Sequence, residues 1–212
     1  MLTVIFDMDG TLINSANAIS SAVNEIRKNL NLQALDERFI LDTINTPGKD
    51  WAKILYNIDD FEHSTFKQGF ERYFIKHYEQ SVILYDGVID ILTYLQNKGA
   101  YIAIATNAPQ DSLDKILSKH KISEYFNIIV GVSAKIEPKP SPQMLNFIQN
   151  QSPFDKALFV GDSKKDEEAA KNANIPYLSA KWNMPTSKAN EFSNANELLK
   201  LFEKYFNDSK IW

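Results

Sequence analysis

The chain has no cysteine, which excludes a disulfide scaffold, a zinc–thiolate site and thiol catalysis. It has no basic tract: 27 acidic residues against 23 basic ones leave a net charge of −4, so nucleic acid is not expected as a partner. No long uninterrupted apolar stretch occurs, and no membrane span is expected. Met1 runs almost directly into the first apolar run, leaving no room for the basic and apolar regions of a leader; a cytoplasmic protein is expected. His63, His77 and His120 show no metal-ligand spacing. The absence of any Gly-x-Gly pair or Gly-Lys-Ser/Thr removes both common nucleotide-binding loops.

Hydrophobic residues make up 44% of the 212 positions, enough for a core domain with a smaller insertion. Strand-like runs recur at Val4 to Phe6, Tyr101 to Ala105, Ile128 to Val130, Ala157 to Val160 and Tyr177 to Ser179. Helical patterns separate the later ones: Val88, Ile91, Leu92 and Leu95, ended by Gly99; Leu113, Ile116 and Leu117; Met144, Leu145 and Ile148 after Ser141-Pro142; and Asp166 to Ala173 with a small-residue face. A last helix carries Leu198, Leu201, Phe202 and Tyr205. This alternation predicts an α/β fold, a Rossmann-like three-layer core on a mainly parallel sheet.

One stretch departs from that rhythm. Residues 14–82 carry helical patterns only: Ile19, Ala22, Val23, Ile26 and Leu30; Phe39 to Ile44 after a cap at Asp36; Trp51, Ile54, Leu55 and Ile58; and Phe66, Phe70, Tyr73, Phe74 and Tyr78 after a cap at Ser64. An α-helical cap domain over 14–82, inserted into a core of 1–13 and 83–212, is the simplest account.

Four segments carry chemistry. Asp7-Met8-Asp9-Gly10-Thr11-Leu12 leaves the end of the first strand, where open α/β sheets place their ligands. A carboxylate there can be a nucleophile, a metal ligand or an acid/base; two solvated aspartates in a turn are the plain alternative. Thr106-Asn107 ends the second long strand, with a hydroxyl and main-chain N–H groups that can hold a phosphate oxygen, or simply stabilise a turn. Lys139 precedes Pro140, which disfavours the helical conformation at that lysine, and its point charge can reach a cluster of anions. Gly161-Asp162-Ser163-Lys164-Lys165-Asp166 again sets a carboxylate at a strand end, with a second four residues on. Asp162 and Asp166 could share a hard cation with Asp7, and a helix N-cap at Asp162 or Ser163 is compatible with that.

The order and spacing of these segments resemble the haloacid dehalogenase superfamily, in particular its phosphoglycolate phosphatase-like members with a helical cap after the first strand. The resemblance implies that Asp7 is the nucleophile of an aspartyl-phosphate intermediate. It implies Asp9 as general acid/base, with its carbonyl on the metal. Thr106, the Asn107 amide and Lys139 would hold the phosphoryl group, and Asp7, Asp9, Asp162 and Asp166 would bind or orient Mg2+. The second aspartate, Asp9, favours phosphoryl chemistry over carbon–halogen hydrolysis, because a halide leaves without protonation. The partner expected is a small-molecule phosphate ester. A phosphomutase using the same Asp pair, and a non-catalytic phospho-ligand sensor, are the alternatives; the filled motif positions weigh against the sensor. Within the helical insert, Lys49 in Thr46-Pro47-Gly48-Lys49-Asp50 is the candidate partner for a second anionic group of the substrate.

Overall fold

The computed structural model describes residues 1–59 and 67–207. In chain order the elements are β1 (Thr3–Phe6), β2 (Ile13–Asn14), α1 (Ala16–Asn29), α2 (Glu37–Asn45), α3 (Trp51–Tyr56), α4 (Lys67–Ser81), β3 (Ile83–Leu84), α5 (Val88–Asn97), β4 (Tyr101–Pro109), α6 (Leu113–Lys119), β5 (Ile128–Val132), α7 (Gln143–Gln151), β6 (Ala157–Gly161), α8 (Lys164–Asn172), β7 (Tyr177–Ala180), β8 (Glu191–Phe192) and α9 (Ala195–Asn207). They form two compact units, Met1–Leu12 with Leu84–Trp212, and Ile13–Ile83.

The first unit is built on a six-stranded sheet in the order β5-β4-β1-β6-β7-β8, with every pairing parallel. Alternation along each strand sends side chains to opposite faces. Ile5, Ala103, Ala105 and Phe159 pack on one face with Met144, Leu145 and Ile148 of α7 and Ala169 and Ala170 of α8. The small-residue stripe of α8 lets that helix lie close to the strands. Phe6 belongs to the other face and meets Phe202 of α9 edge-on, with ring centroids 6.2 Å apart. Val88, Ile91, Leu92 and Leu95 of α5 are buried, as are Leu198 and Phe202.

Strand order and register together locate the functional end of the sheet. From β1 the chain moves outward to β4 and β5, then returns to the other side of β1 as β6. The order therefore reverses between β1 and β6, and ligands of such sheets bind at the carboxyl ends beside that switch. Phe6 is level with Val160 on one side and Ile104 on the other. The residues that follow, Asp7, Gly161-Asp162 and Ala105-Thr106, thus emerge at one height.

The second unit contains α1 to α4, held by Val23, Ile26, Ile40, Leu55 and Tyr56 with Ile19, Trp51, Tyr73 and Phe74 around them. Asp36 caps α2 by accepting from the Arg38 and Phe39 N–H groups. The buried Arg27 side chain donates to the Gln33 carbonyl at 2.6 Å and to the Leu55 carbonyl, which satisfies main-chain acceptors between short helices.

Several local features differ from the periodicity. β4 continues through Pro109, so Thr106 and Asn107 lie in the strand, across an irregular register between Ala105 and Pro109. β2 and β3 pair as a two-stranded sheet, and β8 adds an edge strand; two-residue strands are too short to show an alternating pattern. Phe39 and Ile54 are exposed, because Ile40 and Thr43 form the inner face of α2, and Ala52, Leu55 and Tyr56 that of α3. Helix α7 begins at Gln143, since Ser141 is drawn into a turn in which its N–H donates to the Pro138 carbonyl at 3.1 Å. His63, Ser64 and Phe66, and the side chain of Phe70, lie outside the described residues. Among the described residues no helix is long and apolar enough to cross a membrane.

Removing the Phe202 ring takes away the edge-on partner of Phe6 and leaves a cavity between α9 and the sheet. Phe202→Ala is expected to cost about 3–5 kcal/mol, measured as a lower urea midpoint with an unchanged slope.

Candidate active site

Two strand ends, a helix start and a loop bring four charged side chains together. Asp7 leaves β1, and its N–H donates to the Val160 carbonyl of β6 at 2.8 Å. Asp162 follows β6 directly, and Asp166 sits in the first turn of α8. Carboxylate oxygens of Asp7, Asp162 and Asp166 all lie within 4.8 Å of one another. Lys139 reaches the same place from the loop before α7, and its ammonium pairs with Asp7 Oδ1 and Asp166 Oδ1 at 2.5 Å each. Lys139 is 2% exposed, Asp166 1% and Asp7 5%. The Lys139 Nζ also stands 5.3 Å from the Phe159 ring centroid, so the cation is flanked by an aromatic face as well as by two anions.

Asp166 and Asp162 have different surroundings although they are four residues apart. Ser163 caps α8 in a reciprocal box: its hydroxyl accepts from the Asp166 N–H, while Asp166 Oδ2 accepts from the Ser163 N–H at 3.0 Å. The Ser163 hydroxyl also donates to Asp166 Oδ2 at 2.5 Å. With Lys139 on Oδ1, both oxygens of Asp166 already have protein partners. Asp162 is half-buried and lies against Gly10, where an added Cβ would come within 2.5 Å of its Cγ. Gly10 has φ +78. A side chain there would be strained in the backbone and would strike the carboxylate.

Three carboxylates with one ammonium leave excess negative charge in a buried place. Burial pushes the Asp7 carboxyl up, Lys139 draws it back, and Asp166 and Asp9 push it up again; it comes to rest at about 7. Burial, then Asp7 and Asp166, raise Asp162 well above the usual carboxylate range. Burial alone would lower Lys139, but the Asp166 and Asp7 charges and hydrogen bonds outweigh it and keep the ammonium charged. The surplus is therefore relieved by a proton held on Asp7 or Asp162.

The remaining residues singled out in the sequence fall as follows. Asp9 is half-buried, and its charge acts on both Asp7 and Asp162. Its side chain is not one of the three clustered carboxylates. Thr106 is buried, and its hydroxyl accepts from the Ala108 N–H at 3.2 Å. The Asn107 side chain bonds to the main chain of Lys139 on both sides. Thr11 donates to Asp7 Oδ2 at 3.4 Å. Lys49 belongs to the helical unit, where its ammonium pairs with Asp42 at 2.6 Å.

Two further residues support the opening segment. The Trp182 indole N–H donates to the Thr11 carbonyl at 2.9 Å, and the Tyr85 N–H donates to the next carbonyl, Leu12, at 3.1 Å. Their rings stack at 4.7 Å and 10°. Burial, then Asp162 and Asp9, push the Tyr85 hydroxyl up to about 12. Neither residue lies in a chemical motif, and nothing in the sequence marks the pair.

Residues 4–180 match the haloacid dehalogenase-like hydrolase family. The chain belongs to that family. Among curated members, a phosphoglycolate phosphatase of Colwellia psychrerythraea is 33% identical, over 81% of this chain and 80% of its own length. A phosphoglycolate phosphatase of Aquifex aeolicus is 30% identical, over 97% of this chain and 98% of its own length. The crystal structure of a predicted phosphoglycolate phosphatase from Haemophilus somnus superposes with a TM-score of 0.80 at 26% identity, covering 94% of this chain and 97% of that one. The haloacid dehalogenase-like fold is thus shared along nearly the whole length, and Trp182 lies just beyond the matched family segment.

The raised Asp7 carboxyl fixes a pH dependence. Its folded value of about 7 lies above the ordinary carboxylate value, so the folded state binds more protons than the unfolded one across the interval between them. Stability of metal-free protein should therefore fall as pH rises from about 4 to about 7. Thermal unfolding in chelator is expected to show that fall, and Asp7→Asn, which removes one of the clustered charges, is expected to flatten it. Parallel curves for the two proteins would contradict the charge assignment.

Proposed function

We propose that this chain is a magnesium-dependent phosphatase, a phosphoric monoester hydrolase acting on a small phosphorylated metabolite through an aspartyl-phosphate on Asp7. Its chief support is the buried meeting of Asp7, Asp162 and Asp166 with the single ammonium of Lys139 at the switch point of the sheet. Family membership and the phosphoglycolate phosphatase relatives support the same reaction class.

The donor set fits a hard dication. Asp7 and Asp162 offer carboxylate oxygens, Asp166 adds charge beside them, and Lys139 leaves part of that charge uncompensated, a combination that suits Mg2+ with water and phosphate completing its shell. Asp7, Asp162 and the Asp9 carbonyl would hold the ion, and Asp166 would act through Lys139, Ser163 or ion-bound water. Bound there, the ion supplies neutralising charge for the phosphoryl oxygens.

The protein groups account for the rest of the reaction. An Asp7 carboxylate oxygen attacks phosphorus as the bond to the leaving alkoxide breaks. Asp9, protonated at this stage, gives its proton to that alkoxide. As a carboxylate it then takes a proton from the water that attacks the aspartyl-phosphate, which releases inorganic phosphate and restores Asp7. The Thr106 hydroxyl, the Asn107 main-chain N–H and the Lys139 ammonium hold the phosphoryl oxygens, and Lys139 offsets the repulsion between two anions. We assign phosphoglycolate-like esters or sugar phosphates as the substrate class, and selection among them to the helical unit 14–82, with Lys49 the candidate contact for a second anionic group.

Turnover of an aryl phosphate in Mg2+ tests the proposal. Wild type is expected to release inorganic phosphate with no bisphosphate added, which separates hydrolysis from mutase chemistry. Asp7→Asn is nearly isosteric and is expected to lower kcat by at least about 10³-fold while the protein stays folded. Calcium is expected to support little turnover because its coordination is looser. Asp7→Asn turnover near wild type would remove the nucleophile assignment.

A further inference from the structure

We propose that the side chain of Asn107 is a positioning residue for Lys139, gripping its main chain so that the ammonium is delivered to Asp7 and Asp166. The inference rests on the role given above to Lys139 and goes beyond the main-chain phosphate contact assigned to Asn107.

The grip has two points. Asn107 Oδ1 accepts from the Lys139 N–H at 2.7 Å, and Asn107 Nδ2 donates to the Lys139 carbonyl at 3.0 Å. One side-chain amide thus reproduces, across 32 residues of sequence, the paired exchange that a neighbouring strand would provide. The partners fix which end of the amide is which, because only oxygen can receive the N–H and only nitrogen can serve the carbonyl.

Lys139 needs such support for a reason visible in its neighbours. It stands between Pro138 and Pro140, neither of which has an N–H to tie the segment down. The lysine supplies a main-chain donor and acceptor within Pro138-Lys139-Pro140, and Asn107 takes both. From that anchored main chain a four-carbon stem runs into the buried site, where the ammonium meets Asp7 and Asp166 at 2.5 Å. Lysine is a point charge on a flexible chain, and its placement is only as firm as its Cα. Because Asn107 follows Thr106 within β4, the clasp also links the hydroxyl-bearing stretch of that strand to the lysine loop.

A double-mutant cycle distinguishes positioning from general support of the fold. Wild type, Asn107→Ala, Lys139→Ala and the double variant are compared for kcat on an aryl phosphate in Mg2+. Binding of inorganic phosphate in Mg2+ is measured by calorimetry, which needs no turnover. Asn107→Ala is expected to lower kcat on the order of 10²-fold and to weaken phosphate binding, yet to have no further effect in the Lys139→Ala background. Equal losses in both backgrounds, or wild-type behaviour of Asn107→Ala, would overturn the proposal. Should Asn107→Ala fail to fold, the isosteric Asn107→Asp, which keeps the acceptor and loses the donor, completes the same cycle with the same criteria. Wild-type turnover and phosphate binding by Lys139→Ala alone would overturn the role of Lys139 itself, and this outcome is read from that single variant.

Discussion

A single ammonium, Lys139 Nζ, stands between the carboxylates of Asp7 and Asp166, 2.5 Å from an oxygen of each, and the site is organised around it. Burying one carboxylate without compensation costs several kcal/mol, and the sheet register brings Asp7 and Asp162 to one place, where the first turn of α8 adds Asp166. The lysine offsets part of that charge. What remains is held in check by protonation, with Asp7 drawn up to about 7 and Asp162 higher than usual. Under the proposed function, a dication would replace those protons and leave Asp7 ionised for attack.

The chemical segments were legible because each is local. An apolar strand ending in Asp-x-Asp-Gly-Thr, and another ending in Gly-Asp with Asp166 four residues on, already place acids at strand ends. Parallel α/β topology then supplies their meeting. The split between Asp162 and Asp166 was half legible. Ser163 as an N-cap could be read from residue type, but its reciprocal bonding with Asp166, which uses up one carboxylate oxygen, depends on α8 starting at Lys164.

The less legible features join residues far apart in sequence. Asn107 and Lys139 are separated by 32 positions, and Trp182 and Thr11 by 171; no spacing rule predicts which asparagine or indole will find which main-chain group. The irregular register of β4 between Ala105 and Pro109 belongs to the same class. A strand propensity says where pairing starts, whereas the point at which it breaks depends on the neighbour. Phe39 and Ile54 show the converse. Short helices have too few turns for periodicity to fix which apolar residue faces inward, and tertiary packing chose others.

Space around the acids is reserved by two glycines, one from each aspartate segment. A Cβ at Gly161 would come within 2.6 Å of the Asp166 Cβ and 2.7 Å of its Cγ, and one at Gly10 would press on Asp162. The two have different backbone requirements, since Gly10 has positive φ and Gly161 does not. Their common property is the missing side chain. Gly10 lies against Asp162, so the two segments can approach until carboxylates of both share one site, and Gly161 lets Asp166 fold back against the end of its own strand. The glycines of Asp-x-Asp-Gly and Gly-Asp are therefore as much a part of the charge cluster as the acids.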